Sequence, residues 1–178
     1  MPRIIKDGGI VDDSARIIEI DEDTPIHSSL QQSVFLPLSR WLVMQSGMEI
    51  TEGQKLAGVW FDGDADIAAL IDHLDRLPAI AIRFNSFQDG TGFSLGALLR
   101  ESHGYGGELR AFGQLIADQA PQLRRCGFNA IALQPGESLE TAMSMLEGMN
   151  LSYQGSIYSP RTPFKFRFSS ASNSVNKT

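Results

Sequence analysis

Ala79-Ile80-Ala81-Ile82, with Pro78 in front of it and a glycine-bearing loop behind it, decides the fold of this chain. The run is apolar at every position and too short for a buried helix. A strand covered on both faces has this character, because neither side of it meets water. Behind the loop, Leu95, Leu98 and Leu99 form the stripe of a helix expected from about Ser94 to Glu101. Strand, loop and helix in that order make one βα unit.

The same unit recurs on either side. Upstream, Val34-Phe35-Leu36 leads into a helical pattern over Ser39–Gln45. Leu56-Ala57-Gly58-Val59-Trp60-Phe61 leads into another over Asp64–Leu77, where Ile67, Leu70, Ile71 and Leu74 fall on one face. Asp62 and Asp64 suit its N-cap, and Pro78 stops it. Downstream, Glu108-Leu109-Arg110-Ala111-Phe112 leads into a helix ending near Cys126-Gly127. Pro121 fits inside that helix if Asp118 is the N-cap, because the first turn needs no N–H bonds. Finally Ala130-Ile131-Ala132-Leu133 leads into Ser138–Met149. About five βα units predict a mostly parallel sheet with right-handed crossovers and helices on both faces. Five units fall short of a closed eight-unit barrel. An open flavodoxin-like sheet is therefore the expected architecture, and a partial barrel the second choice.

Residues 1–33 form an N-terminal hairpin and an irregular segment in this reading, since residues 3–20 alternate around the turn signal Asp7-Gly8-Gly9. Residues 34–154 form the α/β core. Residues 155–178 form a basic tail expected to be flexible, in which Phe164-Lys165-Phe166-Arg167-Phe168 alternates and can pair with a sheet edge. The tail carries four bases and no acid. The rest of the chain then holds eleven bases against all 21 acids, and such a body repels phosphate backbones. Nucleic acid is not an expected partner. No run of about 18 apolar residues is present, so no membrane helix is expected either. The opening residues do not read as a secretory signal, and the single Cys126 rules out an internal disulfide framework; a cytoplasmic location is the expectation.

Candidate site residues come from the loops behind the strands, where ligands bind in open parallel sheets. Gly90, Gly92 and Gly96 let a backbone approach a ligand ahead of a helix N-terminus, although Asp89 repels an anion and no lysine follows as in a phosphate loop. A tight loop capped by Asp89 explains the same residues. Asp118 and Gln119 follow the fourth strand, where Asp118 serves either as a cap or as an acid/base group. Arg124 and Arg125 can grip an oxyanion or simply complement the helix dipole. Arg110 interrupts an otherwise buried strand and needs a partner. Asp62-x-Asp64-x-Asp66 imitates a calcium loop but lacks its glycine and its final glutamate, so no metal is expected. One cysteine cannot build a CxxC pair or an iron–sulfur cluster, so no cofactor is expected either.

The block from Asp75-Arg76-Leu77-Pro78 through Ala79–Ile82, Asp89-Gly90, Gly92, Leu98-Leu99-Arg100-Glu101 and Gly104-Tyr105 continues into Gly107-Glu108-Leu109-Arg110-Ala111 and Leu123-Arg124-Arg125-Cys126-Gly127-Phe128. It resembles the bacterial family named domain of unknown function 934, with weaker likeness at Lys6-Asp7-Gly8 and Leu36-Pro37-Leu38. The resemblance implies a role in assimilatory sulfite reduction, because proteins of this family are often encoded beside sulfite reductase and labelled as oxidoreductases. It brings no catalytic residues. It implies sulfite reductase or its flavoprotein electron donor as a partner. Thr91, Phe93, Gln114 and Arg83 depart from the residues usual in that family. The leading expectation is an accessory protein that binds a reductase component or a small ligand without redox chemistry of its own. The alternative is an enzyme that binds flavin or a phosphorylated metabolite at the C-terminal ends of the strands.

Overall fold

The computed structural model describes residues 2–19, 33–45, 56–86, 88 and 90–148. Among the described residues eight strands form one sheet: β1 (Arg3–Lys6), β2 (Gly9–Asp12), β3 (Arg16–Ile17), β4 (Val34–Pro37), β5 (Leu56–Asp62), β6 (Ala79–Phe84), β7 (Glu108–Gly113) and β8 (Ala130–Ile131). The helices are α1 (Leu38–Gln45), α2 (Ala68–Ile71), α3 (Thr91–Glu101), α4 (Ala120–Arg125) and α5 (Leu139–Gly148). The tail, with its alternating Phe164–Phe168 stretch, lies outside the described residues, as do residues 20–32.

The strand order is β2-β1-β8-β7-β6-β5-β4-β3. From β3 to β8 neighbours are parallel and follow one another in chain order, while β1 pairs antiparallel with both β2 and β8. The sheet is thus mixed and has eight strands, not five mostly parallel units. It also differs from a flavodoxin-like sheet in direction. There the strand order reverses partway, and that reversal puts helices on both faces. Here every crossover steps the same way, so right-handed crossovers stack all helices on one side.

The core reflects this. Val59 and Phe61 of β5, Ile80 and Ile82 of β6, Leu109 and Ala111 of β7 and Ile131 of β8 pack with the buried faces of all five helices. Period-two alternation sends their neighbours to the opposite face. There Phe35, Trp60, Ala79 and Ala81 form a second cluster with Ala15, Ile17, Ala57 and Phe112, all from strands or the short segments beside them. Among the described residues no helix covers this face, which corrects the expectation of helices on both sides.

What covers it is curvature. β2 and β3 are the two edges of the sheet, yet only residues 13–15 separate them in the chain. Four Cα steps reach at most about 14 Å. Flat, the two edges would stand roughly 34 Å apart at the usual strand spacing. The sheet therefore curls until its edges approach, and the second cluster becomes the lining of a barrel-like lumen. The second-choice partial barrel is the nearer description. The hairpin β1–β2 and the short β3 supply the strands that five βα units lacked. Asp7 and Gly8, both at positive φ (49° and 83°), make the two-residue turn of that hairpin, the conformation that suits its twist.

Two local expectations also change. The helix expected over Asp64–Leu77 is only one turn of α-helix, Ala68–Ile71, followed by a 3-10 turn at Leu74–Arg76. The strand expected over Ala130–Leu133 has just two residues. Pro121 sits in the first turn of α4 as anticipated.

Candidate functional site

The predicted site residues do not come together. Asp89 lies outside the described residues. Gly90 precedes α3 with open space around it, but Gly92 is pressed on the ring of Phe84: a Cβ there would lie 2.6 Å from it. Gly96 faces Phe128 in the same way. The glycine spacing therefore serves the close seating of α3 on β6 and Phe128. Asp118 is exposed and caps nothing; Gln119 stands at the N-cap of α4, and its Oε1 accepts the Ile116 N–H at 3.1 Å, which closes the 3-10 turn Ala117–Gln119 ahead of that helix. Arg124 and Arg125 end α4 on the helix side of the sheet, where Arg124 lines a cavity of about 250 Å³ with Ile5, Asp7 and Phe128.

Arg110 points the other way, into the lumen. It is 4% exposed. Its Nη1 donates to Asp13 at 2.7 Å and its Nε to Glu108 at 2.8 Å, while its guanidinium lies 4.7 Å above the Phe35 ring. Lys6 meets the other oxygen of Glu108 at 2.6 Å. Arg110 and the pair Arg124–Arg125 thus occupy opposite faces of the sheet and cannot share a ligand. The partner that Arg110 requires is Asp13, on the link between the two sheet edges. A cavity of about 290 Å³ lies beside this cluster.

A second polar constellation stands at the C-terminal ends of the parallel strands. Asp62 is the last residue of β5, and Arg83 is its register partner on β6. Arg83 grips Asp62 through two nitrogens, Nε to Oδ1 at 2.7 Å and Nη2 to Oδ2 at 3.1 Å. Asn85 donates a further hydrogen bond to Asp62 Oδ1 at 2.9 Å. The third nitrogen of Arg83, Nη1, donates to Glu19 at 2.8 Å. The guanidinium is stacked 4.6 Å over Trp60, whose Nε1 donates to the Ile18 carbonyl and whose ring meets Phe112 edge-on. The hydrogen bonds from Arg83 hold Asp62 below the ordinary carboxylate range, and Asp62 in turn raises Arg83. Beside this group a cavity of about 340 Å³ is lined by Leu38, Leu42, Trp60, Phe61, Asp62 and Asp66, among others.

In barrels of parallel strands this end of the sheet carries the chemistry, because the loops there converge over the lumen. The mouth formed by Trp60, Asp62, Arg83, Asn85 and Glu19 is therefore the candidate site. Sequence reasoning read Asp62 as a helix cap and noted Arg83 only as a departure from a family pattern. The signal was alternation: Arg83 follows Ala79 and Ala81 on the lumen side of β6, so a charge there faces other strands rather than water.

The remaining candidates are structural. Burial pushes the Cys126 thiol up, away from nucleophilic use. Asp62 is engaged by Arg83 and Asp66 Oδ1 accepts the Ala68 N–H, so this acidic run is built into the loop; among the described residues no group of three or more His, Cys, Asp or Glu is disposed to hold a metal. Nor is any helix among them long and apolar enough to cross a membrane. Arg100 ties the end of α3 to the carbonyls of Gly127 and Tyr105 and to Asn129, and the Tyr105 hydroxyl donates to Leu77, which accounts for much of the block that carries the family resemblance.

No curated protein and no solved structure matches the chain. A family model described as "Bacterial protein of unknown function (DUF934)" matches residues 58–164, from β5 past the end of α5. The weaker likeness at residues 6–8 and 36–38 falls outside that match. More than half of the chain is covered, and the chain belongs to the DUF934 family.

Proposed function

We propose that the protein is an accessory component of assimilatory sulfite reduction that binds a reductase component or a small ligand and performs no redox chemistry itself. The observation that carries the second half of this reading is the state of the lumen arginines. Both Arg83 and Arg110 are held by two carboxylates of the same chain. Groups neutralised in this way suit recognition by exchange of partners better than proton or electron transfer. The half-buried thiol, with its raised pKa, points in the same direction. The first half rests on the family resemblance, which implies genes encoded beside that of sulfite reductase.

The test is direct. Purified protein is mixed with purified sulfite reductase, and separately with its flavoprotein donor, and sedimentation velocity is recorded. Co-sedimentation with either supports the reading. Sulfite consumption by the protein alone with a defined electron donor contradicts it.

A second reading is favoured by one observation, the cavity at the C-terminal ends of β4 and β5. In this reading the protein is an enzyme taking flavin or a phosphorylated metabolite there. Flavin released from the purified protein on denaturation would favour it over the first.

A further inference from the structure

We infer that Arg83 Nη1 is a carboxylate-binding position at the mouth of the curled sheet, and that Glu19 occupies it as a built-in competitor of a small carboxylate ligand with an apolar body. The inference rests on the reading of the mouth as a ligand site and is independent of the assignment to sulfite reduction.

Arg83 is prepared for such a role. Asp62 holds Nε and Nη2 from one edge, and Trp60 fixes the plane of the guanidinium from below. Asn85 fixes Asp62 in turn. An arginine oriented by one carboxylate presents its remaining nitrogen to a second in a defined direction, which is how planar anions are recognised with geometric specificity. In the structure that second carboxylate is Glu19. The two carboxylates differ in exposure. The Asp62 side chain is 33% exposed, that of Glu19 70%. An ion pair to so exposed a partner adds little stability and is readily exchanged.

The surroundings specify the rest of the ligand. The guanidinium touches two residues, Trp60 and Asp62, that also line the cavity of about 340 Å³. Leu38, Leu42 and Phe61 give that cavity apolar walls. Of its two acids, Asp62 is paired with Arg83, while Asp66, which accepts the Ala68 N–H, keeps its charge and disfavours a second carboxylate on the ligand. Replacing Glu19 by a ligand carboxylate also leaves the local charge unchanged. A head group on Arg83 with its tail among Leu38, Leu42 and Trp60 is thus matched in both charge and polarity.

Hexanoate is a suitable probe, with hexanol as the control that has the tail and no carboxylate. Both are titrated into the full-length protein by calorimetry, in the wild type, in Glu19→Gln and in the double variant Glu19→Gln/Arg83→Lys. Glu19→Gln removes the competitor, so hexanoate should bind it about two- to sixfold more tightly than the wild type, the gain that an exposed ion pair can withhold. Arg83→Lys keeps the charge but loses the fork, and hexanoate affinity should fall at least tenfold below that of Glu19→Gln in the double variant. Hexanol should not distinguish the three. Equal hexanoate affinity in the wild type and Glu19→Gln overturns the inference, as does a gain that hexanol reproduces. Should the double variant fail to fold, the comparison of the wild type with Glu19→Gln still decides.

Discussion

Single residues carry most of what separates a binding loop from a packing joint in this chain. Gly90 and Gly92 look alike in the sequence, yet the Phe84 ring excludes a side chain only at Gly92. Gly92→Ala should therefore lower stability by about 1–3 kcal/mol, the usual cost of overpacking, whereas Gly90→Ala should fall within roughly 0.5 kcal/mol of the wild type. Urea denaturation of the two variants checks this; equal effects would contradict the close seating of Gly92 on Phe84. Asp62 gives a prediction in pH. Its carboxyl is held low in the folded protein by Arg83, so its contribution is complete above the unfolded value of about 3.9 and is lost as pH falls through the lower folded value. The stability gap between the wild type and Asp62→Asn should be steady above about pH 5 and shrink below about pH 4. A gap that widens on acidification would contradict the Arg83–Asp62 geometry. Of these residues, Arg110 was legible from the sequence as a buried charge in need of a partner. Asp13 was not, because 97 positions separate the two and nothing local connects them.

At the scale of elements, apolar runs were readable and short helices were not. Ala79-Ile80-Ala81-Ile82 proved to be a strand with both faces covered, and α3 and α5 run close to their expected limits. The stretch 64–77 was misread for a physical reason. Its apolar residues satisfy a helical stripe, but the backbone closes i→i−3 bonds at Leu70, His73, Arg76 and Leu77. A 3-10 arrangement brings residues three apart into line, so Ile67, Leu70 and His73 stack towards the core, with His73 edge-on to Trp41 at 5.4 Å. Periods of three and 3.6 cannot be told apart over so few residues. The 3-10 geometry is weaker, so amides of residues 70–77 should exchange with deuterium much faster than those of residues 95–101 in α3. Equal protection would mean that a continuous helix forms there after all.

The whole molecule is set by one feature that no local pattern announces, the curl of the sheet. It converts the unlined face of a one-sided βα array into a lumen. It brings the link between β2 and β3 over β7, where Arg110 holds Asp13. Arg110→Met leaves Asp13 a poorly solvated carboxylate without its cation, while Glu108 keeps Lys6, and should cost on the order of 3 kcal/mol. Chemical denaturation measures it, and a loss under about 1 kcal/mol would show that the edges of the sheet do not depend on this contact. The sequence made the α/β class and the order of elements legible. It left the closure of the sheet hidden, because that depends on which strands neighbour which. The mouth at Arg83 was hidden with it, since Asp62 meets Arg83 and Asn85 only through the pairing of β5 with β6, and Glu19 comes from beyond the far edge strand β3.

The proposed function would place this protein beside sulfite reductase. Growth of a strain lacking it, on sulfate, sulfite, sulfide or cysteine as sole sulfur source, tests that placement most directly. The account predicts growth on sulfide and cysteine and a defect on sulfate and sulfite that the wild-type protein reverses. Unimpaired growth on all four sources would contradict it.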